Sequence, residues 1–475
     1  MQFAREINRL VIGFLAILFV VAAAATYWAI TGAETILTRQ DNPRQVEVEA
    51  SIRRGSILDR NGQVLVDSSL DANSALIRQY LYPEMYSALG YFSFRYGASG
   101  AEAAYDAILK GDNLPRDLSA YLSNDLLHRP RQGSDIRLTF DLTIQQALDK
   151  AMAGHQGAAV VLSVPSGEVL GMASLPTFDP NTLDVDWEKL IEAPGNPFFN
   201  RALQGSYQPG GTLQTPLIAA AMLTGSSLDT PIEYATQPVS VANVELHCAA
   251  VLPPKALTLR EAYIFGCPYP FSQLANNLGV DGIDAIFHTF HLDNPTNLPG
   301  YIVQPPSAIG ATPTNGNVLP DTLVKSALGQ GQLTITPLEM AMVTAAIVND
   351  GNAPQPYTLL DTRQPYSEDW IDDTTLHPST PLTTATTARQ LQDMMRLAVA
   401  DGAAQNAGRA GIDIGGHATL AYSGTRTQAW FVGFATLGGR QGIAIAVVIE
   451  DSNDPGLAAD IGGTILAASR DALTK

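Results

Sequence analysis

Charged residues and cysteine are scarce in this chain. Charged side chains make up 16% of its 475 residues, cysteine occurs twice, and 28 basic residues stand against 46 acidic ones, which gives a formal charge of -18. Because a nucleic-acid-binding protein needs clustered Lys and Arg, this balance argues against a nucleic-acid partner. The hydrophobic content of 46% excludes an intrinsically disordered chain and predicts a large core shared among two or three domains.

Long hydrophobic runs are also missing, with one exception near the N-terminus. The run from Leu10 to Ile30, at about 1.5 Å per helical residue, matches a membrane hydrocarbon core of about 30 Å. Arg5 and Arg9 precede it and Glu34 follows it, so the positive-inside rule places the N-terminus in the cytoplasm. The sequence therefore predicts a single-pass protein of the cell membrane, with the bulk of the chain extracytoplasmic. A cleaved signal peptide is the alternative, although the run is longer than the apolar core of such peptides.

Recognisable metal and cofactor motifs are absent from the sequence. None of the seven histidines belongs to an H-E-x-x-H arrangement, and no C-x-x-C pair or phosphate-binding glycine loop occurs. His288 and His291 are one helical turn apart, but no third ligand is evident, so we interpret them as a polar helix end. Neither a metal ion nor a cofactor is expected.

Several segments carry clear structural signals. The turn D-R-N-G at the end of Arg54–Gly62 lies between apolar residues and predicts a hairpin. Two β-rich runs, Ala158–Ser163 and Val169–Ser174, are joined by Pro-Ser-Gly and predict a buried hairpin. T-P-L-E, beginning at Thr336, is a capping box with proline at the first helical position. The Pro- and Thr-rich segment 352–384 is predicted to be a surface excursion.

The stretch from Asn200 to Met222, NRALQGSYQPGGTLQTPLIAAAM, has the layout of a helix start that carries a nucleophile. Together with R-G-S-I-L-D-R-N-G at Arg54–Gly62, P-T-F-D-P-N at Pro176–Asn181 and A-W-F-V-G-F-A at Ala429–Ala435, it resembles the class B penicillin-binding proteins, which are membrane-anchored peptidoglycan transpeptidases. The resemblance covers nearly the whole chain in the same order.

The resemblance implies a three-part organisation. Residues 1–33 would form a short cytoplasmic tail and a transmembrane anchor, residues 34–135 a pedestal or dimerisation-like domain, and residues 136–475 a transpeptidase-like domain. The implied fold class is α/β (α+β), of the serine β-lactamase and penicillin-binding-protein type, with a five-stranded antiparallel sheet flanked by helices.

The first catalytic motif of that family, Y-x-P-G-S-x-x-K, has lost both reactive residues here. In the family the serine attacks a D-Ala-D-Ala peptide and the lysine, one helical turn further on, takes its proton. The matching positions are Gly211 and Gln214, and neither a glycine nor an amide supplies a nucleophile or a base. Thr212 and Thr215 are the nearest hydroxyls, but on a helix they point elsewhere or lie a turn away.

The second motif, Ser-x-Asn, is also replaced. Gly266 and Pro268 stand at its polar positions, and neither can donate a hydrogen bond from a side chain. Between them lies Cys267, a weak alternative nucleophile that occupies the place of a structural cysteine in the family. The resemblance implies that Cys267 pairs with Cys248, and closing this loop would contribute on the order of 3 kcal/mol. Two free buried thiols are the alternative.

The third motif, Lys-Thr/Ser-Gly, is located by its spacing to A-W-F-V-G-F-A. Counting back about a dozen residues gives His417, Ala418 and Thr419. A rival placement on 422–424 keeps the glycine but leaves too few residues for a strand and a turn before Trp430. Under either placement the lysine cation is lost, because a histidine is only fractionally charged at pH 7.

Peptidoglycan cross-linking is the activity that the resemblance implies for the family, but here the reactive positions of all three motifs are replaced. Because loss of one catalytic member can cost a factor of about 10⁶, the sequence predicts a catalytically inactive scaffold or regulator of peptidoglycan synthesis and cell division. Implied partners are a glycosyltransferase of the shape, elongation, division and sporulation (SEDS) type, divisome or elongation proteins, and weakly bound peptidoglycan or its stem peptides. An active D,D-transpeptidase with an unrecognised nucleophile and a ligand sensor are the alternatives.

Overall fold

The structure is a computed structural model that describes residues 2–28, 52–71, 76–114, 131–241, 244–294, 296–304, 320–424 and 426–474. The chain divides into two units, one of residues 1–53, 70–76 and 115–132 and the other of residues 54–69, 77–114 and 133–475. The described part of the first unit consists mainly of helix α1 (Gln2–Tyr27). Its segment Arg9–Tyr27 is, among the described residues, the one helix long and apolar enough to cross a membrane. Ile30 and Glu34 of the predicted membrane segment lie outside the described residues.

The second unit contains the other helices and strands. The further α-helices are α2 (Tyr86–Leu89), α3 (Gly100–Ala104), α4 (Asp106–Leu109), α5 (Leu142–Met152), α6 (Leu183–Ile191), α7 (Arg201–Gln204), α8 (Gln214–Leu223), α9 (Leu259–Ile264), α10 (Pro268–Thr289), α11 (Pro320–Ala327), α12 (Pro337–Val348), α13 (Ala385–Asp401) and α14 (Pro455–Leu473). The strands are β1 (Ile57–Leu58), β2 (Val64–Leu70), β3 (Leu76–Tyr80), β4 (Phe92–Ser93), β5 (Gly97–Ala98), β6 (Asp135–Leu138), β7 (Gly157–Val164), β8 (Val169–Leu175), β9 (Val239–Val241), β10 (Val244–Leu246), β11 (Asn352–Pro354), β12 (Leu359–Arg363), β13 (Trp370–Asp372), β14 (Ser379–Pro381), β15 (Ile414–Ser423), β16 (Arg426–Gly438) and β17 (Gln441–Glu450).

A six-stranded sheet, which we call the pedestal sheet, has the strand order β13-β12-β6-β1-β2-β3. The predicted hairpin at Arg54–Gly62 is confirmed, because β1 pairs antiparallel with β2 and Gly62 takes the positive φ of 84° that the turn requires. Strand β1 also pairs in parallel with β6. The predicted boundary between residues 135 and 136 falls inside β6, so this sheet combines strands from both predicted domains.

The prediction of a surface excursion over residues 352–384 is wrong for its first half. Strand β12 pairs with β6, and β13 pairs with β12. Ion pairs join Arg137 to Asp361 and Arg363 to Asp135 across these strands, and both arginines lie over the ring of Trp370. A strand held by charged pairs has no alternating hydrophobic pattern, so the sequence did not reveal it.

The second, central sheet is antiparallel throughout and has the order β15-β16-β17-β7-β8. The predicted hairpin of β7 and β8 is confirmed. Along β7, Ala158, Val160 and Leu162 belong to one hydrophobic cluster, whereas Ala159 and Val161 belong to another. Because successive side chains point to opposite faces, both faces of the sheet are buried.

Helices cover both faces of the central sheet. Helices α8, α10 and α12 contribute to the cluster on one face, and α5 and α14 contribute to the cluster on the other. Helix α13 packs along the edge strand β15. This three-layer arrangement is the α/β fold with a five-stranded antiparallel sheet that the resemblance implied.

Candidate active-site cleft

The predicted motif positions converge at the edge of the central sheet. Edge strand β15, the start of α8 and the connection between α9 and α10 enclose one cavity. Its lining includes five of the seven predicted positions: Gly211, Gln214, Gly266, Pro268 and Thr419. The other two, His417 and Ala418, lie on β15 and are fully buried. The correspondence of these residues to the family motifs remains a prediction, but the fold does bring them together.

The cavity is very small. Its volume is about 30 Å³, enough for one or two water molecules, whereas sites for drug-sized ligands measure about 300–1,000 Å³. Three of its polar side-chain atoms, Gln214 Oε1, Gln330 Nε2 and Thr419 Oγ1, are buried without a hydrogen-bond partner. Water is the natural partner for such atoms in a polar space of this size. The space beside Gly211 and Thr419 as folded has no room for a ligand group larger than water.

Thr419 closes the position at which the nucleophile would lie. Gly211 belongs to a 3₁₀ turn, Gly210–Leu213, directly before α8. A Cβ atom built on Gly211 would lie 2.8 Å from Cβ and 2.9 Å from Cγ2 of Thr419, well inside the usual carbon–carbon separation of about 3.5–4.0 Å. The glycine at 211 and the threonine at 419 are therefore sterically matched.

His417 is held as a neutral packing residue. Its ring stacks on Tyr263 with a centroid distance of 4.3 Å and an interplanar angle of 5°, and its Nε2 donates to the carbonyl of Gly211 at 3.3 Å. Burial lowers the pKa of His417 to about 4, and the Gly211 carbonyl offsets this only in part. Near pH 7 this position therefore supplies no positive charge to hold a substrate carboxylate.

The replacements of the second motif fit the local backbone. Gly266 has a φ of 63°, a left-handed conformation that glycine adopts without strain. A Cβ there would also lie 2.8 Å from that of Ala249. Pro268 is the first residue of α10, where its missing N–H costs least. Cys267, between them, is joined to Cys248 by a disulfide.

The remaining candidate nucleophiles are occupied and inaccessible. Thr212 Oγ1 donates to the carbonyl of Pro209 at 2.7 Å, and Thr215 Oγ1 lies 3.0 Å from the hydroxyl of Tyr263. Both threonines are buried, and Cys267 is buried in its disulfide. None of these three groups is available to attack a substrate.

The rival placement of the third motif, on residues 422–424, lies further along β15, towards its hairpin turn. In the antiparallel register, Thr419 is opposite Trp430 and Ser423 is opposite Arg426. Ser423 and Gly424 are exposed at the hairpin turn, whereas His417 and Thr419 touch Gly211. The geometry favours the placement on residues 417–419.

Two site residues escaped the sequence analysis. Tyr263 supplies the ring against which His417 stacks, and no local signal in the sequence marks it. Gln330 lies between two glycines, Gly329 and Gly331, and no local signal in the sequence gives its side chain a role. Its Oε1 accepts a hydrogen bond from the backbone N–H of Tyr422 at 3.2 Å, which ties β15 to the segment before α12.

The two histidines considered as metal ligands do not form a site. His288 Nδ1 lies 3.1 Å from a carboxylate oxygen of Asp293, and His291 is exposed at the end of that turn. Within the described ranges, no group of three or more His, Cys, Asp or Glu side chains is placed to hold a metal ion.

Serine-type transpeptidases and β-lactamases have an antiparallel sheet flanked by helices, with a cleft between the edge strand and the start of a buried helix. This chain has the same arrangement. Comparison with known families agrees. Residues 157–467 match the penicillin binding protein transpeptidase domain, and residues 54–136 match the penicillin binding protein A dimerisation domain. The chain belongs to the penicillin-binding protein transpeptidase family.

Individual relatives are similar over almost the whole chain. The peptidoglycan D,D-transpeptidase PbpA of Mycolicibacterium smegmatis is 30% identical over 499 residues, which cover 98% of each chain. Penicillin-binding protein A of M. tuberculosis, solved as its imipenem acyl-enzyme complex, superimposes with a TM-score of 0.78 at 28% identity over 88% of this chain and 99% of that one. Its penicillin G acyl-enzyme complex gives a TM-score of 0.75 at 27% identity, with the same coverage.

Proposed function

We propose that this chain is a catalytically inactive penicillin-binding protein that serves peptidoglycan synthesis and cell division as a scaffold or regulator. The observation that supports this most directly is the packing of Thr419 against Gly211, which leaves the nucleophile position without a side chain and without space for one. The neutral His417 and the small cavity also support an inactive site. An active site assembled for acyl transfer needs an activated nucleophile and a preorganised, accessible pocket.

The proposed placement in the cell follows from helix α1. We infer that Arg9–Tyr27 anchors the chain in the cell membrane, with the N-terminus cytoplasmic and the rest extracytoplasmic. Residues 1–33 would form the anchor, 34–135 the pedestal domain and 136–475 the transpeptidase-like domain. The matched dimerisation and transpeptidase regions, 54–136 and 157–467, are compatible with this division.

The proposed partner is a polytopic SEDS-type glycosyltransferase, contacted through the anchor and the pedestal, together with divisome or elongation proteins. Stem peptides would bind weakly and noncovalently, because the cleft must first open to admit them. Copurification from detergent-solubilised membranes tests the scaffold role. A tagged chain is expected to retain a glycosyltransferase or a divisome protein, and a preparation that retains neither contradicts it.

The test of inactivity is covalent labelling by penicillin. The purified full-length chain, incubated with fluorescent penicillin and boiled in detergent, is expected to show no labelled band and no mass increase by intact-mass spectrometry. Thr212, Thr215 and Cys267 are buried and engaged, and the amide of Gln214 cannot take a proton from a hydroxyl. Penicillin-binding protein A of M. tuberculosis, known as a penicillin G acyl-enzyme, is the positive control. A boil-resistant adduct on any cleft side chain would contradict the proposal.

An active D,D-transpeptidase is the second candidate, and the names of the relatives favour it. That function would need a nucleophile other than Thr212, Thr215 or Cys267, each of which is buried and engaged. Peptide mapping of any penicillin adduct would identify the attacking residue and decide for this alternative.

A further inference from the structure

A second cavity of about 190 Å³ lies at the N-terminal end of α12. Its walls come from α12, from the chain that follows α10, and from the neighbourhood of β11 and β14. It shares no lining residue with the candidate active-site cleft, so its interpretation does not depend on whether that cleft is active. We call it the α12 cavity.

The lining of the α12 cavity mixes apolar side chains with polar ones and contains one carboxylate. Phe290, Leu292, Met342 and Val343 contribute hydrocarbon surface, and Glu339 is the one acidic side chain in the lining. Small-ligand sites in proteins have this character, a hydrophobic wall with a few polar groups that fix orientation. The volume is below the range of about 300–1,000 Å³ typical of drug-sized ligands, which limits an occupant to roughly the size of one side chain.

Only one of the two carboxylate oxygens of Glu339 makes a hydrogen bond of normal geometry. Its Oε2 accepts a hydrogen bond from the backbone N–H of Thr336 at 2.7 Å. Glu339 is the N3 residue of the predicted capping box, which the structure confirms. Its Oε1 is buried and makes no hydrogen bond of normal geometry, and the backbone N–H of Thr296 is the further donor that acts on the carboxylate. Only 4% of the residue is exposed. An unpaired carboxylate oxygen out of water is costly, so this oxygen calls for a partner.

Burial raises the pKa of Glu339 to about 7, and the backbone and hydroxyl of Thr336 and the amide of Thr296 oppose that rise only in part. A cation placed beside Oε1 would favour the ionised form. His291 at the rim is the other titratable side chain in the lining.

A second capping box in the same chain shows that the cap alone does not create this situation. Glu261 and Thr258 cap α9 with the same pair of hydrogen bonds, at 2.8 Å and 3.1 Å. Glu261 lines neither this cavity nor the cleft. The unpaired oxygen and the adjoining apolar space are therefore particular to Glu339.

We propose that the α12 cavity binds a primary alkylammonium group, with the ammonium donating to Glu339 Oε1 and the aliphatic stem packed against Phe290, Leu292 and Met342. The chemistry is that of a lysine-like side chain or a free short amine. Such a ligand satisfies the buried oxygen, neutralises its charge and fills the apolar space at once.

The test is isothermal titration calorimetry of the full-length chain in detergent with n-butylammonium chloride. The wild-type chain is expected to bind it, and Glu339→Gln, which keeps a capping-box residue of the same size, is expected to bind at least about tenfold more weakly. Glu261→Gln is the matched control and should bind like the wild type. Equal binding by the Glu339→Gln chain, or no binding by the wild type because the cavity holds only water, overturns the proposal.

Two further experiments measure properties that would not change if Glu339 had only a structural role. Because burial raises the pKa of Glu339 to about 7 and a bound cation lowers it, butylammonium binding should release more protons at pH 6 than at pH 8. His291→Asn, which tolerates the φ of 53° at this position, should keep that release.

Neutral 1-butanol should bind more weakly than the amine, and equal binding of the two would refute an ammonium site. A capped lysine amide that binds as well as butylammonium assigns the group to a polypeptide, and one that fails to bind assigns it to a free amine.

Discussion

Replacing Glu102 with glutamine is expected to lower the free energy of unfolding by about 3–5 kcal/mol, because it breaks a buried ionic network and removes the carboxylate that pairs with the buried Arg78. Glu102 is fully buried in α3. Its Oε2 accepts from Arg54 at 2.8 Å and 3.1 Å, and its Oε1 accepts from Arg78 at 2.6 Å and from the hydroxyl of Tyr80 at 3.4 Å. Both arginine side chains are about 95% buried.

A second carboxylate on the same arginine gives the control. Asp106 accepts from Arg54 at 2.6 Å, but its side chain is 35% exposed, so solvent screens the pair and Asp106→Asn should cost about 1 kcal/mol or less. Denaturant unfolding of both variants measures the difference. If the Glu102 variant loses no more stability than the Asp106 variant, the network does not hold the pedestal sheet together.

This network explains a residue whose role the sequence left open. Arg54 opens the segment R-G-S-I-L-D-R-N-G, and the pattern predicted the following turn correctly because D-R-N-G is a local signal. The partners of the arginine, Glu102 on α3 and Asp106 on α4, lie 48 and 52 residues away. No local pattern could have indicated that pairing, since a charged residue is normally expected at the surface.

The same division between local and long-range information runs through the fold. The hairpin of β7 and β8 was predictable because its hydrophobic residues and its turn are adjacent in the sequence. Strand β12 was not, because Asp361 and Arg363 are polar residues stabilised by partners on β6. In the pedestal sheet, long-range ion pairs stabilise a strand that the hydrophobic pattern of the sequence does not indicate.

At the cleft, the sequence predicted which residues correspond to the family motifs but not how their side chains pack. The spacing to A-W-F-V-G-F-A led to His417 and Thr419, because a hairpin register is a fixed count of residues. It could not show that His417 stacks on Tyr263 or that Thr419 fills the space beside Gly211. Through these contacts the side chains at the predicted motif positions pack against one another and fill the cleft. Introducing a single catalytic residue should therefore not produce an active site.

Restoring the serine alone is therefore expected to destabilise the chain. In Gly211→Ser the new Cβ would lie 2.8 Å from Cβ of Thr419, and overpacking of this kind costs about 1–3 kcal/mol. Combining it with Thr419→Gly removes the clash, so the two substitutions should be coupled by about 1–3 kcal/mol in favour of the double variant. A double-mutant cycle measured by denaturant unfolding gives this coupling directly.

Thr419→Ser separates the clash from other effects at this position, because serine keeps the Cβ and loses only the methyl group. It should relieve the Cγ2 contact at 2.9 Å but not the Cβ contact at 2.8 Å, and so recover only part of the stability. The double variant Gly211→Ser/Thr419→Gly should still give no penicillin adduct, since Gln214 cannot take the proton of the serine and His417 stays uncharged. Strictly additive effects in the cycle would mean that Thr419 does not block position 211. The complementarity of these two replacements, on which the proposal of a silent enzyme rests, would then be lost.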